Sequence, residues 1–156
     1  MKPVLQALVL AERVYTDITG KKIIAGTFNR VQFTRTTQFV QERQSPSGET
    51  KYFVRGGVHG GSPYAYISLT DVVDNTQLTL QFVNLTKNVV ILEQQLTVQC
   101  DGRLQTIEIV APLPPLPVCE AGVYAFEVVC EEAILGSHRV IAEELQDPEE
   151  LSHGDS

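Results

Sequence analysis

The stretch Gly122-Val123-Tyr124-Ala125-Phe126-Glu127-Val128-Val129-Cys130 decides the fold class. Tyr124, Phe126, Val128 and Cys130 recur at every second position. Successive side chains of a strand point to opposite faces, so this spacing puts four apolar groups on one side. Glu127 and Glu131 are expected on the solvent side. The same period of two returns upstream in Leu78, Leu80 and Phe82, in Val90, Leu92, Leu96, Val98 and Cys100, and in Ile107, Ile109 and Ala111. Tyr66 and Ser68 alternate with Ala65, Ile67 and Leu69. Residues 4–15 and 22–33 read as a hairpin about a turn at 17–21, where Gly20 is free to take positive φ. Residues 134–142 form the last strand.

Turn chemistry divides these strands. Residues 71–76 and 84–88 are polar connections, and Asp101-Gly102 is a favoured two-residue hairpin turn. Pro112, Pro114, Pro115 and Pro117 lack ladder donors, so their segment crosses between sheets or follows an edge. Eight or nine short strands with regular turn signals and no convincing helix predict an all-β, two-sheet antiparallel sandwich of immunoglobulin-like or C2-like Greek-key type. The domain is expected to span 1–142, with an acidic, disordered tail at 143–156.

Residues 34–62 interrupt the regular pattern. Gln44-Ser45-Pro46-Ser47-Gly48 is a turn signal between Phe39-Val40 and Tyr52-Phe53-Val54, which fits a protruding hairpin. A glycine-rich stretch at 56–61 follows it and contains His59. The insertion carries Arg35, Arg43, Lys51 and Arg55 against Glu42 and Glu49. Aromatic residues and arginine are enriched where partners bind. Phe39, Arg43, Tyr52, Phe53, Arg55 and His59 are therefore the candidate contact residues.

Composition bounds the rest. A chain of 156 residues fits one domain that needs neither disulfide nor metal to fold. The net charge is −7, but six of the 19 acids follow Arg139, after which no Lys or Arg occurs. The body is close to neutral and lacks the basic stripe of a nucleic-acid binder. Three cysteines without a CxxC pair suit a reducing, cytoplasmic compartment, with Cys100 and Cys130 as small core hydrophobes. The apolar start, 4–11, is short, broken by Gln6 and reads as a buried strand rather than a leader. No run reaches the ~20 apolar residues of a membrane span.

Catalytic constellations are absent from the pattern. The chain has three histidines, His59, His138 and His153, and no GxSxG. His138, in a strand next to Val140, reads as a packed or edge histidine. The glycines at 56–61 are not a phosphate loop, since no GK[ST] follows. Adjacent carboxylates such as Glu131-Glu132 would face opposite ways on a strand and cannot share a substrate. Asp71, Asp74 and Asn75 offer oxygens to calcium only if Asp17 or Asp101 converges on them. No cofactor is expected.

Two stretches together carry a resemblance. Asp17, Gly20 and Lys21-Lys22-Ile23-Ile24-Ala25-Gly26-Thr27-Phe28 follow the first apolar strand, and Pro115-Leu116-Pro117 leads into Ala121-Gly122-Val123-Tyr124-Ala125-Phe126-Glu127-Val128, then Leu135-Gly136 and Arg139-Val140. This pair is similar to a family of short, uncharacterised bacterial proteins with immunoglobulin-like or C2-like sandwich folds. Residues 34–62 depart from that pattern in length and glycine content. The resemblance implies a fold and transfers no functional residue. The expected function is a non-enzymatic interaction or assembly module, binding a protein partner or a second copy. A calcium-, lipid- or sugar-binding module and an enzyme with an unrecognised site are the alternatives.

Overall fold

Alternation of apolar and polar residues produces eleven strands in the computed structural model, and no helix occurs among the described residues. These are residues 2–33, 39–44, 50–55, 62–118 and 120–145, with only the backbone considered for 39–44 and 50–55. No helix among them is long and apolar enough to cross a membrane. The strands are β1 (Val4–Thr16), β2 (Lys22–Thr27), β3 (Arg30–Phe33), β4 (Phe39–Gln44), β5 (Thr50–Arg55), β6 (Tyr64–Thr70), β7 (Thr76–Asn84), β8 (Val89–Val98), β9 (Ile107–Pro112), β10 (Gly122–Cys130) and β11 (Ala133–Glu144).

Nine of them build two sheets. One has the order β2-β1-β6-β9, the other β3-β11-β10-β7-β8, and β4 pairs only with β5. All pairings are antiparallel except β3 with β11. The two sheets share one core, to which Leu10, Ile67 and Leu69 contribute from the first and Leu80, Phe82, Tyr124, Phe126 and Val128 from the second. This arrangement is consistent with a β-sandwich. Phe126 is 1% exposed, as its alternation requires. Phe82 and Tyr124 stack with ring centroids 5.4 Å apart, and the Tyr124 hydroxyl donates to the Glu120 carbonyl at 2.9 Å.

Four expectations need correction. Residues 22–33 are two strands: β2 stays beside β1, Phe28 and Asn29 cross over, and β3 joins the other sheet. Apolar alternation continues through the switch, so periodicity does not mark it. Asp101-Gly102 does not close a hairpin, because β8 and β9 belong to different sheets and 99–106 bridges them. Val90 is not inward, since a bulge pairs Val83 with Val90 directly after Phe82 with Leu92. Ile91 and Leu92 pack on the core instead, and Val90 is exposed. Glu127 faces away from the core yet is buried, and its carboxylate accepts from Gln81 Nε2 at 2.8 Å.

The proline segment behaves as its missing donors require. It carries the chain from β9 to β10, in the other sheet, and buries Leu113, Leu116 and Val118 on the way. The last strand runs two residues past its expected end. Its final turn is fastened to β3 by an Arg30–Glu143 ion pair and by a Leu145 N–H bond to the Phe33 carbonyl at 2.7 Å.

Candidate functional site

Three connections meet at one end of the body: 71–75, 99–106 and the turn at Glu131-Glu132. Asp71, Asn75, Glu131 and Glu132 all have positive φ there. Two successive glutamates in the left-handed region are unfavourable by about 1–2 kcal/mol each, because Cβ crowds the following carbonyl. They form the two-residue turn between Cys130 and Ala133 rather than part of a strand. An Asn-Gly pair is the usual sequence signal for that geometry, and its absence hid the turn.

Asp74 and Asp101 line one cleft of about 560 Å³ together with Asn75, Gln99, Cys100 and Gln105. Asp74 is already engaged, accepting at Oδ1 from the backbone N–H of Asn75 at 3.0 Å and of Cys100 at 3.3 Å. The Cys100 thiol sits 2.9 Å from the Gly102 carbonyl. A neighbouring groove of about 470 Å³ lies against Val73, Thr79, Val129, Glu131 and Glu132. Among the described residues, no group of three or more His, Cys, Asp or Glu side chains is placed to hold a metal ion.

Asp17 is elsewhere. Its Oδ1 accepts from the Thr19 hydroxyl at 2.6 Å, the Thr19 N–H at 2.8 Å and the Lys21 N–H at 2.9 Å. The Thr19 hydroxyl, then the Lys21 N–H, hold its carboxyl below the ordinary range. The loop acids thus divide, with Asp74 and Asp101 in one cleft and Asp17 occupied by its own turn.

His138 is the only histidine among the described residues. Its Nε2 lies 2.7 Å from the Phe28 carbonyl, and the Leu10 N–H points at Nδ1 at the long limit of 3.5 Å. Both contacts suit the Nε2–H tautomer, with one nitrogen donating and the other accepting. The Phe28 ring meets the imidazole edge-on. This histidine is a structural link between the sheets, which its reading as a packed or edge residue did not specify.

No family model matches the sequence, and no curated protein matches it significantly.

The candidate contact residues lie in the insertion. The side chains of Phe39, Arg43, Tyr52, Phe53 and Arg55, and all of His59, fall outside the described residues. The backbone of β4 and β5 forms the expected hairpin, with Phe39 opposite Arg55, Glu42 opposite Tyr52 and Arg43 opposite Lys51.

A second surface had no motif to announce it. β8 and β9 are both terminal strands of their sheets, and no strand pairs with their outer edges among the described residues. Leu92 and Leu96 on β8, and Ile107 and Ile109 on β9, are only partly buried against the core. Val89, Val90 and Leu104 are exposed beside them, Leu104 to 88%. β8 spans ten residues without Pro, Lys or Arg. Such an edge presents a row of unpaired backbone donors and acceptors that other chains can use. β8 carries neither Pro nor Lys, while Glu93 and the bulge at Ile91 partly blunt its edge, and that it is terminal at all is legible only from the sheet order.

Proposed function

We propose that this chain is a non-enzymatic interaction or assembly module, built as an immunoglobulin-like or C2-like Greek-key sandwich. The single observation that carries this reading is the open flank of β8 and β9, where partly buried apolar side chains lie beside a long strand edge. Pro, Lys and a covering strand, which commonly blunt such edges, are absent from β8 among the described residues, and Glu93 with the bulge at Ile91 confines the regular edge to 92–98. A strand added by a partner satisfies the same groups and buries the same apolar seam. The basic, aromatic insertion at 34–62 serves as a second contact, for which acidic segments such as 146–156 are complementary.

Solution mass across a broad concentration range tests the reading. Association that increases with concentration supports it, and a monomer at every concentration sinks self-assembly. Replacing 36–54 by a short glycine–serine bridge isolates the insertion's share. An unchanged assembly state at several salt concentrations would make the insertion irrelevant to contact.

A ligand-binding reading has one observation in its favour, the placement of Asp74 and Asp101 in one cleft with amide oxygens from Asn75, Gln99 and Gln105. Calcium bound only by the native state raises the melting temperature, so melts with calcium and with chelator test it.

A further inference from the structure

We propose that β8 pairs antiparallel with β8 of a second copy about a two-fold axis at Gln94, joining two five-stranded sheets into one. This rests on the assembly reading and names its partner and register.

The core-facing side of β8 is palindromic. Leu92, Gln94 and Leu96 stand opposite Phe82, Leu80 and Leu78, all three buried, so they point toward the core. Leu92 and Leu96 pack there in part, while Gln94 remains exposed between them. Gln94 is exposed although it stands opposite the buried Leu80. Its amide carries both a donor and an acceptor, and two such amides brought face to face satisfy each other.

Register follows from side-chain direction. A two-fold that keeps both cores on the same side of the joined sheet must set core-facing residues opposite core-facing residues. Centring on Gln94 sets Leu92 opposite Leu96, Gln94 opposite Gln94 and Glu93 opposite Gln95. Centring on Glu93 places two carboxylates directly opposite, which is destabilising. Centring on Gln95 sets Gln94 against Leu96. The Gln94 register alone matches apolar with apolar and amide with amide. It also covers only the regular part of the strand, since the bulge begins at Ile91.

The two copies of Glu93 become diagonal neighbours in this register, at about 7–8 Å. They are solvent-exposed, and salt screens such a pair. Self-pairing through β8 therefore tightens as salt rises.

The experiment uses the full chain. Sedimentation and light scattering over a broad concentration range give the association constant of the wild type, of Gln94→Glu and of Gln94→Lys. Gln94 is exposed, so melts of both variants at high dilution remain those of the wild type. Each single variant sets like charges on the axis and weakens association about tenfold or more. An equimolar mixture of the two recovers it, because position 94 faces position 94 of the other copy. Amide exchange at 92–96 gives an independent readout, slow in concentrated and fast in dilute protein.

Association that ignores both variants, or a mixture that recovers nothing, overturns this register while leaving the assembly reading standing. A monomer at every concentration overturns this pairing together with self-assembly in any register.

Discussion

The two flanks of the body are built in opposite ways. On one, the chain leaves β2 at Thr27 and enters β3 at Arg30, with two residues between the sheets. The crossing is fixed at both residues: His138 holds the Phe28 carbonyl, and the Ile141 N–H holds the Asn29 carbonyl at 2.8 Å. Leu5 of β1 lies directly over Gly136 of β11. On the other flank β8 and β9 stand apart, joined by 99–106 alone, with apolar side chains half covered. One flank is closed by its own chain, and on the other no described strand pairs with the outer edge of β8 or β9. The contrast teaches that the search for a contact surface starts at the flank the described strands leave open.

The largest expected effect tests the core that both flanks enclose. Phe126→Ala removes a fully buried ring and costs about 3–5 kcal/mol, read from denaturant unfolding. A loss below 1 kcal/mol would mean that the two sheets do not share this core.

Next comes the closed flank. His138→Ala leaves the Phe28 carbonyl without its ring donor and costs about 1–3 kcal/mol. Amide exchange should quicken across 28–33 and 139–144 while 92–98 keeps its wild-type rates. Faster exchange at 92–98 as well would break the distinction between the flanks.

The turn that starts β11 sharpens the comparison with an effect of opposite sign. Replacing Glu131-Glu132 by Asn-Gly relieves two left-handed glutamates and stabilises the fold by about 1–2 kcal/mol. A melting temperature that falls would show the turn held by contacts of those two side chains.

Smaller still is Glu93→Gln on the open flank, which changes monomer stability by less than about 0.5 kcal/mol. Its effect belongs to association, which tightens at low salt because the like-charge diagonal is removed. Salt separates the two proposed contacts in the same measurement. Pairing through β8 strengthens with salt, whereas contact between the basic insertion and an acidic surface weakens. A wild-type association that weakens with salt favours the insertion.

The turn at 17–21 provides the smallest signal. Its hydrogen bonds depress the Asp17 pKa, so the stability they supply is complete above the ordinary value of 3.8. It is lost as pH falls through the lower folded-state value. Asp17→Asn keeps the acceptor oxygen and removes the titration. The variant should lose less stability than the wild type below that value, and an identical acid profile would show the carboxylate irrelevant to the turn.

Thiol chemistry follows burial in the same way. Burial first, and then the Glu131 charge, raise the Cys130 thiol above its ordinary range. Native protein should therefore react with a thiol reagent more slowly at Cys130 than at the partly exposed Cys100, as read by peptide mapping.

Residue types at period two determined by themselves the all-β class and which positions of 122–130 face a core, and the prolines at 112–117 excluded a central strand there. Each of these is a local property, set by strand geometry or by a missing N–H within a few residues. The strands at 39–44 and 50–55 were legible for the same reason, from Phe39-Val40 and Tyr52-Phe53-Val54 on either side of the Ser45-Pro46-Ser47-Gly48 signal. The switch from β2 to β3, the bulge at Ile91, the separation of β8 from β9 and the crossing of the proline segment from β9 in one sheet to β10 in the other, rather than along an edge, were not. They depend on which strands become neighbours, and Leu10 and His138, which meet on the closed flank, are 128 positions apart. Burial of Glu127 likewise needed Gln81 from a strand 46 positions away. The candidate surface divides on the same line. Leu92, Gln94 and Leu96 stand in the sequence as an ordinary alternation. Only the tertiary structure decides that β8 ends its sheet, because an edge is defined by the strand that is not there.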